Sequence, residues 1–219
     1  MKDFIPMWLR YRLMDLRGRG IYSAYADRNQ CIFIHIPKTA GTSIARALFH
    51  QVSRHMPWYE YKNANAGKFR KYFKFAFVRN PWDRLVSTYF FLKKGGMNEL
   101  DRKWAADNID RYRGFEEFVQ DWLTESNIWS WVHFKPQYYF ICDAQLNLQM
   151  DFIGRYENLE SDFETVAARL HLQSTLQPAY PGQHRHYTSY YNHRTCDIVS
   201  RVYQKDIELF NYKYPGNGP

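Results

Sequence analysis

Short apolar runs rich in β-branched and aromatic residues alternate along this chain with stretches whose apolar positions recur at helical spacing. Cys31-Ile32-Phe33-Ile34-His35 ends at Pro37 and suits a buried strand of a parallel sheet. The polar turn Lys38-Thr39-Ala40-Gly41-Thr42-Ser43 follows, and then Ile44, Ala47 and Leu48 fall on one helical face. A second unit starts with the apolar run Phe73 to Val78 and breaks at Arg79-Asn80-Pro81. Asn80 is suited to cap the next helix and Pro81 to its first turn, where a missing N–H costs nothing. That helix is predicted from Pro81 to Lys94, stopping at Gly95-Gly96, with Leu85, Thr88, Tyr89 and Leu92 facing the core.

From Met97 to Gly114 the pattern turns polar and loses its period, which predicts a loop or a loosely packed insertion. Phe115, Phe118, Val119, Trp122 and Leu123 then predict an amphipathic helix. A third strand is predicted at Asp151 to Tyr156, followed by a helix for which Ser161 and Glu164 have capping-box spacing. Residues 177–192, with two prolines, a glycine and four tyrosines, read as a surface loop. A last helix, Thr195 to Phe210, would turn Ile198, Val202, Ile207 and Phe210 inward. Strands alternating with helices give an α/β fold with a mainly parallel sheet, whose ligands bind beyond the carboxyl ends of the strands.

Composition adds two constraints. With 45% hydrophobic and 24% charged residues the chain is neither disordered nor fibrous, and its 219 residues can bury a core without staples. Lys and Arg exceed Asp and Glu by 8, which favours anionic partners. Cys31, Cys142 and Cys196 lack the paired spacing of a disulfide framework or a zinc ribbon, and no metal site is expected. No apolar stretch approaches the ~20 residues of a transmembrane helix, although Trp8, Leu9, Leu13 and Leu16 could form the face of a basic helix, which more often packs on its own domain than lies on a membrane surface. Met1 to Gly20 lacks the unbroken apolar run of a signal peptide, so the chain is expected either in the cytoplasm or cut from a longer, anchored form, with the start at Met1 favouring the cytoplasm.

The two strand-to-helix turns carry the candidate chemistry. In the first, backbone N–H groups at a helix start, the hydroxyls of Thr39, Thr42 and Ser43, a close approach allowed by Gly41 and the charge of Lys38 suit a phosphate. It is not a Walker A loop, because the lysine precedes the glycine. In the second, Arg79 and Ser87 could grip another phosphate, the guanidinium fork matching its oxygens, while Arg84 reads as a surface charge. Two such sites on one sheet edge suit a ligand phosphorylated at two positions.

Here the sequence resembles sulfotransferases that use 3′-phosphoadenosine 5′-phosphosulfate (PAPS). The stretch Ile34 to Ser43 resembles their 5′-phosphosulfate loop, and Phe77 to Tyr89, with Arg79 and Ser87 eight apart, their 3′-phosphate motif. Within that superfamily the likeness is to the carbohydrate branch, family 2, which includes chondroitin 4-O-sulfotransferases, and to its bacterial relatives. His133-Phe134-Lys135-Pro136-Gln137 resembles a His-Trp-Arg-Pro-Gln element of that branch. Asp151 to Leu159 resembles its third-strand signature, and Tyr190-Tyr191 with Asp206 to Phe210 its C-terminal end.

The resemblance implies one sulfotransferase domain over residues 1–219 with a P-loop NTPase-like three-layer fold, residues 1–30 being a helical extension and 95–130 an acceptor-side insertion. It implies PAPS bound by Lys38, Thr39, Ala40, Gly41, Thr42, Ser43, Arg79 and Ser87, with 3′-phosphoadenosine 5′-phosphate (PAP) as product. The acceptor would be a hydroxyl on a carbohydrate or another hydroxyl-bearing molecule, acidic ones included, read by residues 50–72 and 95–130. His133 would be the base and Lys38 the partner of the charge developing on the leaving phosphate. Glu60 is a rival base, since another branch uses a glutamate downstream of its loop lysine. A phosphoryl-transfer enzyme would need a Walker loop and Mg²⁺ ligands, and a basic glycan-binding module would explain the charge without catalysis. Nothing resembles a nucleic-acid motif.

Overall fold

The computed structural model describes Pro6, Leu9, Leu13, Met14 and residues 20–176 and 185–215. Trp8 and Leu16 of the N-terminal face and residues 177–184 of the tyrosine-rich loop lie outside them. The chain forms two compact units, each discontinuous in sequence: residues 1–78 with 139–179, and residues 79–138 with 180–219.

The first unit holds α1 (Ala24–Asn29), β1 (Cys31–Ile34), α2 (Gly41–Phe49), α3 (Trp58–Ala64), α4 (Ala66–Lys71), β2 (Phe73–Val78), β3 (Phe152–Arg155) and α9 (Leu159–Arg169). All three predicted strands form, in the order β1-β2-β3 and entirely parallel. One face, through Cys31, Phe33, Phe75 and Phe77, packs on Ile44, Leu48 and Phe49 of α2 and on Phe163 and Val166 of α9. Ile32, Ile34, Ala76 and Val78 point the other way and are equally inaccessible, so both faces are covered, which explains continuous apolar runs rather than alternation. Phe77 is in register with Gly154, where any β-carbon would collide with its ring. α9 departs from expectation at its start: it begins at Leu159, so Ser161 lies inside the first turn and donates to the Asn158 carbonyl instead of capping.

The second unit holds α5 (Pro81–Lys93), α6 (Glu99–Asn108), α7 (Phe115–Asp121), α10 (His193–Val202) and α11 (Gln204–Leu209); a short α8 (Tyr138–Ile141) leads back to the first. Asn80 caps α5 by accepting from the N–H groups of Trp82 and Asp83, with Pro81 at its first position. Gly95 and Gly96 end that helix at φ values of +93° and +65°. Leu85, Thr88, Tyr89 and Leu92 are buried, as are all five apolar residues expected of α7 and the turn after it.

Two expectations fail in this unit. Residues 97–114 are not loop throughout: Asn98 accepts from the Asp101 N–H and starts α6, which buries Asp101 and Ala105, and 109–114 run as turns and bends. The last helix is broken at Tyr203, and its buried face runs through Cys196, Val199, Val202 and Asp206, leaving Ile198 and Ile207 only half-buried. Asn192 and Thr195 form the capping box that opens it. Among the described residues no helix is long and apolar enough to cross a membrane. Cys31, Cys142 and Cys196 are buried thiols.

Candidate functional site

In the first unit the chain leaves β1 through a turn with unusual backbone. Lys38 and Ala40 both have positive φ, 69° and 63°, a conformation that costs a residue with a β-carbon about 1–3 kcal/mol and that proteins concentrate at binding sites. Ala40 offers no side-chain cap to α2, so the first-turn N–H groups of that helix receive no hydrogen bond from it. A helix start of this kind, beside half-buried Lys38, Thr42 and Ser43, is chemically suited to an anion. Thr39 is fully buried and its hydroxyl donates to the Ile36 carbonyl at 3.0 Å, so it braces the turn from within. Behind the turn the imidazole of His35 fills the space where Gly41 lacks a β-carbon. Ser53 Oγ lies 2.8 Å from His35 Nδ1, and His55 Nδ1 lies 3.0 Å from the His35 carbonyl oxygen. Glu60, in α3, is half-buried, and that burial raises its pKa.

The second unit carries Arg79, Ser87 and His133. Arg79 is buried, and its Nε and Nη2 donate to the two carboxylate oxygens of Asp83 at 2.8 and 2.9 Å, a bidentate grip that fixes the plane of the guanidinium. Its backbone is clamped as well. Gln137, fully buried, accepts from the Arg79 N–H at 2.8 Å and donates to the Arg79 carbonyl at 2.9 Å. Asp206 in turn accepts from the N–H groups of Gln137 and Tyr138, and Tyr203 donates to the Phe134 carbonyl. Three segments distant in sequence thus lock one another around Arg79. Burial pushes the Asp206 carboxyl and the Tyr203 phenol upward, and the Arg84 guanidinium opposes both shifts. Ser87 is half-buried on α5, and Asn80 Nδ2 lies 3.5 Å from the Tyr187 hydroxyl.

Arg84 is not the surface charge that its sequence context suggested. It is 2% exposed and donates to the carbonyls of His133 at 3.2 Å and Lys135 at 2.9 Å. His133 is 7% exposed, its ring edge meets Phe91, and its Nε2 stands 3.3 Å from a carboxylate oxygen of Asp101. Sequence reasoning missed Asp101, whose only local signal is the Asn98 cap three residues before it. Among the described residues no group of three His, Cys, Asp or Glu is placed to hold a metal ion.

The first unit thus offers an anion-suited helix start after a parallel strand, and the second a buried arginine held by a carboxylate. The sulfotransferase family matches residues 23–213, and this chain belongs to that family. Carbohydrate sulfotransferase 14 of Homo sapiens is 31% identical over 170 residues, 68% of this chain and 44% of that protein. Carbohydrate sulfotransferase 12 of Mus musculus is 24% identical over 254 residues, covering 87% of this chain and 60% of the relative. An uncharacterized protein of Archaeoglobus fulgidus is 34% identical over 125 residues, 55% of this chain and 87% of its own length. The matches to carbohydrate sulfotransferase 14 thus span less than half of those relatives.

Proposed function

We propose that this chain transfers a sulfuryl group from PAPS to a hydroxyl of a carbohydrate acceptor. In that reaction the sulfur–oxygen bond to the 5′-phosphate breaks, a new one forms to the acceptor oxygen, the acceptor proton passes to a base, and PAP leaves. The observation that carries the reading is the start of α2, with Lys38 and Ala40 at positive φ and no side-chain cap. Its N–H groups, Lys38, Thr42 and Ser43 suit the 5′ end of the donor, and Lys38 offsets the charge that grows on the leaving phosphate. The Asp83-held fork of Arg79, with Ser87, suits the 3′-phosphate. His133 is the base in this reading. Its Nδ1 is buried in this structure, so the acceptor hydroxyl must reach it through local opening. A carbohydrate acceptor is supported by the names of the relatives, and Trp129, 41% exposed beside Tyr138, offers an aromatic face of the kind sugars stack on.

The test is a transfer assay with radiolabelled PAPS and a panel of glycans, lipids and phenols, alongside calorimetric titration with PAP. Label is expected on glycan hydroxyls. Lys38→Ala and Arg79→Ala should each weaken PAP binding, and His133→Ala should lower turnover by ~100-fold or more at nearly unchanged PAP affinity. Wild-type PAP affinity in both cation variants would reject the nucleotide sites, and unchanged turnover in the histidine variant would reject the base.

A further inference from the structure

The carboxylate of Asp101 is 4% exposed and held on several sides. One oxygen accepts from the Met97 N–H at 3.0 Å, which would satisfy a purely local role in starting α6. The other lies 3.2 Å from Trp131 Nε1, which donates to it, and 3.3 Å from His133 Nε2. Trp104 stacks on Trp131 at 5.5 Å and 17°, and Gly96 lies so close that a β-carbon there would collide with Asp101. The side chain is therefore walled in, aimed at an imidazole 32 residues away in sequence. Burying a carboxylate is costly unless its charge has a use or a full set of donors, and here the donor set includes a ring that can itself become charged.

We infer that Asp101 is a positioning residue for His133. It accepts the Nε2–H of the neutral ring, which selects the tautomer whose lone pair is on Nδ1, and it stabilises the imidazolium formed when the acceptor proton arrives. The inference rests on the reading of His133 as the base. Among the described residues, the Asp101 carboxylate faces the ring of this histidine from α6 and the Arg84 guanidinium its carbonyl oxygen from α5; from α5 as well, the Thr88 hydroxyl bonds to that oxygen and the Phe91 ring packs edge-on with the imidazole.

The first measurement needs no variant: nitrogen-15 shifts of the histidine ring in the wild-type protein at neutral pH. The expected result is His133 protonated at Nε2, and an Nδ1-protonated ring would overturn the inference. The second compares wild type with Asp101→Asn and Asp101→Glu, each first shown to unfold cooperatively. The asparagine variant should lose ~100-fold or more in kcat with the KM for PAPS little changed. Its kcat/KM profile should keep full activity to lower pH than the wild type, because without the carboxylate the imidazolium is less stable and the neutral base persists. The glutamate variant should recover part of kcat. A loss of kcat with an unmoved pH profile would mean a structural role only and would also overturn it. If His133→Ala turns over normally while the wild-type ring is protonated at Nε2, the base assignment fails and the contact between the two side chains stands.

Discussion

Arg84 holds the His133 carbonyl oxygen at 3.2 Å from inside the second unit, and the same guanidinium reaches the Lys135 carbonyl at 2.9 Å. One buried cation thereby sets the path of the segment that carries the proposed base. It also offsets Asp206, whose carboxyl burial disfavours in its charged form. Truncation would remove the Arg84 donor from the Lys135 carbonyl, leave the His133 carbonyl with the longer Thr88 contact, and leave a buried carboxylate without its cation. Arg84→Ala should therefore cost about 3–5 kcal/mol, read as a lower urea midpoint. Arg84→Lys keeps the charge but not the fork, so it should still lose about 1.5 kcal/mol or more for the hydrogen bond that one ammonium cannot replace. A lysine variant as stable as the wild type would show that charge alone, and not two-carbonyl geometry, is what the site needs.

Gly41 and His35 give a prediction for the first unit. A β-carbon at position 41 would run into the imidazole of His35, which Ser53 holds from the far side through an Oγ···Nδ1 contact of 2.8 Å. The ring cannot withdraw freely, so Gly41→Ala should strain the turn by about 1–3 kcal/mol and weaken PAP binding in calorimetry by a comparable amount. Combining it with His35→Ala removes the obstacle, and the double variant should regain most of the lost affinity. A double variant as weak as the single one would show that the collision is not the cause.

Some of this arrangement was legible in the sequence because its determinants are local. The strand Cys31–Ile34 and the turn at Lys38 declare themselves through a short apolar run followed by polar residues. Asn80 and Pro81 mark the start of α5 because capping acts within one turn of helix. Arg84 stands one turn before Thr88 on the inward face of α5, but its charge suggests exposure because the partners that satisfy it, at positions 133, 135 and 206, are distant in sequence. The segment 97–114 looked aperiodic because α6 buries a carboxylate among its inward positions and stacks Trp104 on Trp131, contacts that a hydrophobic period does not register. The last helix was drawn through Tyr203 because a single buried tyrosine, held by the Phe134 carbonyl, leaves no mark that distinguishes a break from a continuation.

Alkaline stability follows from the packing of β1. Burial pushes the Cys31 thiol from 9.0 up to about 12, and the Tyr25 phenol from 10.0 up to about 12. Tyr61, Tyr191 and Tyr203 are raised in the same direction, also by burial. Each folded-state pKa lies above its unfolded value, so below pH 9 both states keep their protons and stability is at its full level. As pH rises past 9 the unfolded chain releases the thiol proton while the folded protein retains it, and stability falls until the folded group also ionises near pH 12. The slope contributed by one such group approaches about 1.4 kcal/mol per pH unit. Urea midpoints of the wild type should accordingly be level up to pH 8 and decline from pH 9, more steeply toward and above pH 10 as the tyrosines join. Cys31→Ala removes one of these titrations while Cys196, also raised from 9.0 by burial, and the tyrosines remain, so although less stable at neutral pH it should decline less steeply than the wild type through that interval. Parallel declines in the two proteins from pH 9 would show that the Cys31 thiol does not contribute to the loss.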